Sequence, residues 1–221
     1  MRELRLYEAM RTLRAVRRLK PEPIPEEVLR RVLDAARFAP TGGNRQPWRM
    51  IVVRKAETKR ELAAWYSESW AAYARHHRKR LQGADRTARE RDEKMLGAGD
   101  HLAANFGSTP VIVVFCFDPT NMAITDAHLD RPSVVGGASV YTAVENLLLA
   151  CRAEGLGCVL TTLLCQHEEK VRQLLEIPEP WGTAAAIPIG YPVLGGHGPV
   201  SRRPLEKLTF DEHWGKPFSP H

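Results

Sequence analysis

The run Pro40-Thr41-Gly42-Gly43-Asn44-Arg45-Gln46-Pro47-Trp48 gathers groups able to grip a flat polar ring. Two adjacent glycines allow positive backbone angles and close approach by a planar ligand, while Asn44 and Gln46 supply amides that both donate and accept hydrogen bonds. Alone, the stretch reads more readily as an ordinary tight turn in which Gly, Asn and Pro do only backbone work. Its company changes that reading. Arg14 and Arg17 near the start and Arg202 near the end offer planar forks of donors suited to phosphate, although a single arginine is more often a surface charge. Thr161 and Thr162 follow the hinge Gly155-Leu156-Gly157, and a threonine hydroxyl can donate to a ring nitrogen. Together these groups fit a cofactor that carries both a phosphate and a heteroaromatic ring.

Other chemistries find little support. There is no G-x-x-x-x-G-K-[ST] phosphate loop, no G-x-S-x-G elbow and no H-E-x-x-H pair, and Gly155-x-Gly157 follows a helix and lacks a third glycine. The 8 histidines are scattered and no metal site is expected. Cys116, Cys151, Cys158 and Cys165 form no C-x-x-C pair and lie in apolar surroundings, so they read as buried, reduced thiols. A net charge of +6 suggests anionic partners, but the basic run Arg75 to Lys94 also holds Asp85, Glu90, Asp92 and Glu93, the pattern of a solvated helical face. Without interleaved aromatics it does not read as a nucleic-acid surface. Nothing resembles a signal peptide or membrane span, which points to a cytoplasmic protein.

These groups need a scaffold, and 221 residues suffice for one domain over 1–221. Residues Tyr7 to Val16 read as a first helix. Pro25, Glu26 and Glu27 start a second, with Val28, Leu29, Val32, Leu33 and Ala36 at helical spacing. Met50 to Val53 reads as a strand. Thr58 to about Leu81 is helical, with Trp65, Tyr66 and Trp70 as candidate substrate contacts that could equally pack on the core. Gly83 to Gly99 is polar and weakly patterned, and is expected to be mobile. Val111 to Phe117 reads as a central strand buried on both faces, Ala138 to Ala153 as a buried helix, Glu168 to Leu175 as a short helix and Ala184 to Ile189 as a strand. A polar tail opens at Arg202. Helices and strands interleave, so the class is a sheet covered by helices.

In chain order, Leu13-Arg14-Ala15-Val16-Arg17, Pro21-Glu22-Pro23-Ile24-Pro25, Pro40 through Trp48, Asn146-Leu147-Leu148-Leu149-Ala150, Gly155-Leu156-Gly157 with its threonines, Ile177-Pro178-Glu179, Gly190-Tyr191-Pro192 and Arg202-Arg203-Pro204-Leu205 span nearly the whole sequence. This succession resembles the nitroreductase family of FMN-dependent oxidoreductases, which includes flavin dehalogenases. The Pro40 to Trp48 stretch is the most specific match, to the family's Pro-Ser-x-Gly-Asn-x-Gln-Pro-Trp signature.

The resemblance implies an α/β (α+β) three-layer fold, with a mixed, mainly antiparallel central sheet flanked by helices. It also implies an intertwined homodimer with FMN at the interface; the aromatic helix and the polar stretch after it read from their residues as a mobile lid or excursion over about 58–105. Arg14, Ala15, Arg17 and Arg202 would hold the phosphate and ribityl chain. Pro40, Thr41, Gly42, Gly43, Asn44 and Gln46 from the partner subunit would line the ring, Thr161 or Thr162 would face its N5, and Trp65, Tyr66 and Trp70 would meet substrate. The implied activity is ping-pong transfer from NADPH or NADH to nitroaromatic, quinone or similar small electron-poor acceptors. Dehalogenation, ene reduction, oxygen-dependent flavin chemistry and a non-catalytic flavin-binding module remain alternatives. Leu13 and Ala15 depart from the family's Arg-Arg-Ser-x-Arg element, which removes one charge and one hydroxyl from the phosphate site.

Overall fold

A computed structural model describes residues 4–81, 83 and 85–218. Four strands form an antiparallel sheet in the order β1-β2-β4-β3: β1 Trp48–Val53, β2 Val111–Phe117, β3 Gly157–Cys158 and β4 Gly182–Gly190. Among the described residues, six α-helices cover it: α1 Leu6–Thr12, α2 Glu26–Ala36, α3 Ala56–Leu81, α4 Arg86–Asn105, α5 Ala138–Ala153 and α6 Glu168–Leu174. Among the described residues, no helix is long and apolar enough to cross a membrane.

β2 divides the core. It is an unbroken β-branched and aromatic run with side chains that alternate between faces. Val111, Val113 and Phe115 join α2 and α5 in one cluster with Leu29, Val32, Val144 and Leu147. Ile112, Val114 and Cys116 join α3 and α4 in the other, with Leu62, Tyr66, Leu96 and Leu102. The result is three layers with the sheet in the middle. Truncating a fully buried ring such as Phe115 to alanine in this setting costs about 3–5 kcal/mol.

The second helix begins as expected, with Pro25 at the N-cap and Glu26 and Glu27 in the first turn. The first helix does not reach Val16. It stops at Thr12, because the chain turns extended at Leu13 and the Val16 N–H donates to the Cys158 carbonyl at 2.9 Å, adding residues 15–16 to the sheet edge beside β3. Packing against a sheet edge overrides local helix propensity here.

Most of the expected mobile stretch is helix α4. The Asp85 carboxylate caps it by accepting from the Ala88 N–H at 2.9 Å, and Leu96, Gly99, Leu102 and Ala103 are buried against α3. Ala84 lies outside the described residues. Charged outer faces diluted the apolar signal, but one side of the helix is sealed by Trp70, whose indole donates to Asp100 at 2.9 Å. The Trp70 ring rests directly on Gly99, where a Cβ would overlap it. The span 58–105 is occupied mainly by helices α3 and α4, packed on each other. The tail after Arg202 is also less polar than expected, exposing Leu205, Leu208 and Trp214.

Gly99→Ala should destabilise the protein by about 1–3 kcal/mol through this overlap. Thermal unfolding checks it, with tryptophan fluorescence reporting displacement of Trp70. An unchanged midpoint would mean that the α3–α4 seam is loose.

Candidate functional site

The turn from Pro40 to Gln46 has an unusual backbone. Gly42–Asn44 form one 3-10 turn, and Gly43, Asn44 and Gln46 have φ of 59°, 53° and 49°. Glycine and asparagine tolerate this region; a glutamine there is costly, and such strain gathers at functional sites. The turn ties itself together. The Thr41 hydroxyl accepts from the Gln46 N–H at 3.0 Å, and the Gln46 amide donates to the Asn44 carbonyl and side-chain oxygen at 3.1 and 3.2 Å. It docks on the start of α5, where Ser139 Oγ accepts from the Gly42 N–H at 3.2 Å and Thr142 donates to the Pro40 carbonyl at 3.3 Å. Residues 42–46 are exposed, so their polar groups face outward.

Arg14, Ala15 and Arg17 sit on the extended segment beside β3. This segment docks at the other end of α5, where the Arg152 guanidinium donates to the Thr12 hydroxyl at 2.9 Å. From Ser139 to Arg152 a helix rises about 20 Å. Among the described residues, none of Arg14, Arg17 and Arg202 forms an ion pair with a carboxylate. Arg14 and Arg17 lie on the extended segment, while Arg202 donates to the neighbouring Ser201 carbonyl at 2.9 Å; guanidiniums without counter-ions suit a phosphate dianion. The Gly198 backbone passes close to Arg14, and His197 beside it bonds to the Leu156 carbonyl at 2.9 Å, leaving Nδ1 buried and without a partner among the described residues. Burial holds the His197 pKa below its ordinary value; the Leu156 carbonyl opposes this, and the charges of Arg152 and Arg14 reinforce it.

The two threonines separate. Thr161 is buried and pairs with Ala186 across β4 by two backbone bonds, while Thr162 is exposed. Thr162 borders two openings. One, of about 220 Å³, is lined by Arg17, Tyr66, Trp70, Tyr73, Met95 and residues 159–163. The other, of about 540 Å³, lies between β4, α5 and the connection after β2, and is lined by Phe117, Met122, Ile124, Tyr141, Cys165 and Thr183 among others. No residue of the Pro40–Gln46 turn lines either opening. Tyr66 and Trp70 line the smaller opening, although Tyr66 is stacked on Phe106 at 4.2 Å and both are core residues. Burial chiefly raises the Tyr66 pKa, against the Thr161 hydroxyl and the Arg17 charge. Trp65 lines neither opening; it stacks against His167 at 6.4 Å.

Two features escaped the sequence. Cys165 is half-buried at the larger opening rather than buried, and burial raises its pKa. β2 and β4 slip register between Phe115 and Cys116, leaving Ala184 bulged, and the Tyr141 hydroxyl donates to the Ala184 carbonyl at 3.2 Å. A bulge beside a cavity re-aims the neighbouring side chains, and no composition signal marks it.

Arginines without carboxylate partners on the segment beside β3, and openings bordered by Thr162 on a three-layer scaffold of sheet and helices, suit a cofactor that carries a phosphate and a flat ring. The nitroreductase family model matches residues 10–191, and the chain belongs to that family. It is 30% identical over 225 residues to the NADH dehydrogenase of Thermus thermophilus, covering 89% of this chain and 90% of that protein. It is 27% identical over 209 residues to iodotyrosine deiodinase 1 of Rattus norvegicus, covering 94% and 70%. Among solved structures, oxidized iodotyrosine deiodinase bound to FMN and 3-iodo-L-tyrosine superimposes with a TM-score of 0.68 at 25% identity, covering 95% of this chain and 99% of that one. The Vibrio harveyi NADPH:FMN oxidoreductase complexed with NAD+ shares the fold at a TM-score of 0.67 and 18% identity, covering 96% and 78%.

Because burial lowers its pKa, the folded state favours neutral His197. This contribution is fully present above the unfolded value of about 6.5 and is lost as pH falls through the folded value. An NMR titration should show the His197 ring protonating at a lower pH than an ordinary histidine; protonation at or above the ordinary value would contradict the burial.

Proposed function

We propose that the protein is an FMN-dependent oxidoreductase that uses NADPH or NADH and works as a homodimer with sites shared between two copies. The observation that carries this reading is the division of labour along α5. The exposed, strained amide turn sits at one end, the segment carrying Arg14 and Arg17 sits at the other, and the turn reaches neither opening of its own chain. A second copy whose turn packs over the first chain's Thr162 would join the two halves. The face available for that contact includes a groove of about 740 Å³ lined by Leu6, Ala9, Phe38, Leu149 and Ala153, beside exposed Leu6 and Phe38.

In this arrangement Arg14, Arg17 and Arg202 offset the phosphate charge, with the backbone at Ala15 alongside. The second copy's Pro40, Thr41, Gly42, Gly43, Asn44 and Gln46 cover the ring, with Asn44 and Gln46 matching its donors and acceptors. Thr162, the accessible member of the threonine pair, offers a hydroxyl to the reacting edge, and Thr161 anchors it to β4. Tyr66 and Trp70 wall one side, and Tyr141 the other. FMN held there would supply two-electron redox chemistry between a nicotinamide donor and a small electron-poor acceptor such as a nitroaromatic or a quinone. The protein's share is positioning, charge compensation and exclusion of water, so no acid–base pair is required. Dehalogenation or ene reduction would use the same cofactor site with a different acceptor, and a panel of acceptors separates them. We place the enzyme in the cytoplasm, where its four free thiols would stay reduced.

Arg14→Ala should weaken FMN binding by about 1.5–3 kcal/mol and leave riboflavin binding unchanged, because only the phosphate contact is lost. Asn44→Ala should lower FMN retention and turnover together. Mixing the Arg14→Ala and Asn44→Ala chains, each nearly inactive alone, should restore activity by forming one intact composite site per heterodimer. No recovery in heterodimers demonstrated by mass spectrometry would sink the shared site.

A further inference from the structure

Residues 118–137 join β2 to α5 and supply one wall of the 540 Å³ cavity through Met122, Ile124, Gly136 and Gly137. Apart from two short 3-10 turns, at Pro119–Asn121 and Val135–Gly137, this segment contains no helix or strand. Carboxylates replace secondary structure. Asp118 accepts from the Thr120 N–H and hydroxyl and from the Asn121 amide, which fixes the first bend. Asp126, only 5% exposed, ties down the rest: it accepts from the Arg131 guanidinium at 2.7 Å, the Ser133 hydroxyl at 2.6 Å and the Val134 N–H at 3.2 Å. Chiefly through Ser133, and also through Arg131 and Val134, its pKa is lowered to about 2 despite burial, so the carboxylate stays charged at any ordinary pH.

This clamp closes the segment on itself. Ile124, two residues before Asp126, meets Gly136, two residues after Val134; a Cβ on Gly136 would lie 3.4 Å from Ile124 Cγ1 and 3.3 Å from Met122 Cε. At Gly137 a Cβ would approach the Tyr141 ring to 2.9 Å. The two glycines thus let Met122, Ile124 and Tyr141 converge on one apolar surface. Across from it stand Phe117, Thr162, Cys165, Thr183 and Ala184, and no side chain lining the cavity is an acid, a base or a histidine. An anion entering such a space would lose its hydration without gaining a counter-charge.

We propose that Asp126 is a positioning residue that holds the 118–137 connection as a preformed, uncharged wall of the acceptor cavity, so that the site selects flat uncharged rings over anionic ones of the same shape. The proposal rests on the reading of Thr162 as the reacting edge. It differs from that reading in assigning acceptor selection to a carboxylate that never touches the acceptor.

Calorimetric binding of menadione and of naphthoquinone sulfonate to the oxidised FMN-loaded protein tests it without turnover. Wild type should bind menadione at least about tenfold more tightly than the sulfonate, the size expected for one uncompensated polar group. Asp126→Asn should weaken menadione by about tenfold and narrow the preference, since it loses a charge-assisted bond. Ser133→Ala should act in the same direction and decides the matter if Asp126→Asn does not fold. Asp130→Asn, the same chemical change on the exposed side of the segment, should leave both affinities unchanged. Unaltered affinity and preference in Ser133→Ala and a folded Asp126→Asn, or equal binding of the two quinones by wild type, would overturn the proposal. A protein that binds the quinones as expected but shows no nicotinamide-driven reduction would contradict the oxidoreductase reading and leave the wall standing.

Discussion

Everything in this molecule depends on β2 being buried on both faces. An antiparallel sheet with one wet face would leave half of its strand residues polar, whereas Val111 to Phe117 has apolar side chains throughout and needs a helical layer on each side. The odd-numbered residues through Phe115 recruit α2 and α5 and the even-numbered ones recruit α3 and α4. That division places α5 flat against the sheet, with the amide turn anchored at its start and the arginine segment at its end. Once α5 is fixed, the amide turn and the arginine segment stand about 20 Å apart along it, and it is on this separation that the proposed shared site rests.

The chemistry grows from irregularities on this regular frame. The register slip at Ala184 turns its carbonyl toward the Tyr141 hydroxyl and opens the cavity beside Thr162. Positive φ at Asn44 and Gln46 turns amides away from the chain that carries them. Asp126 organises a long connection that has almost no backbone ladder of its own. Each is a local cost offset by rigid neighbours, and each borders the same proposed ring site.

Much of this was legible beforehand, for physical reasons. β2, α5 and α6 announce themselves because burial imposes a clear hydrophobic period, and α5 spans Ala138–Ala153 as its pattern predicts. The amide turn, the arginines and the threonines stood out because their donors and acceptors suit a phosphate-bearing ring, and they remain the residues of the proposed site. What stayed hidden was tertiary. Helix α4 looked unpatterned because it packs only a narrow stripe onto α3, with glycines at Gly97 and Gly99 where stronger helix formers would have signalled it. The early end of α1 follows from a sheet partner more than 140 residues away at Cys158, which no local rule contains. Thr161 and Thr162 read alike in sequence; only the pairing of Thr161 with Ala186 distinguishes them.

The most direct test of the central claim is the visible absorption spectrum of the protein after incubation with FMN and removal of the excess, recorded anaerobically before and after NADPH or NADH. A flavin spectrum that stays with the protein and bleaches on addition of a nicotinamide is the predicted result. A protein that retains no flavin would show that Leu13 and Ala15 have left the phosphate site too weak, and would contradict the account; retained flavin that neither nicotinamide reduces would contradict its catalytic half.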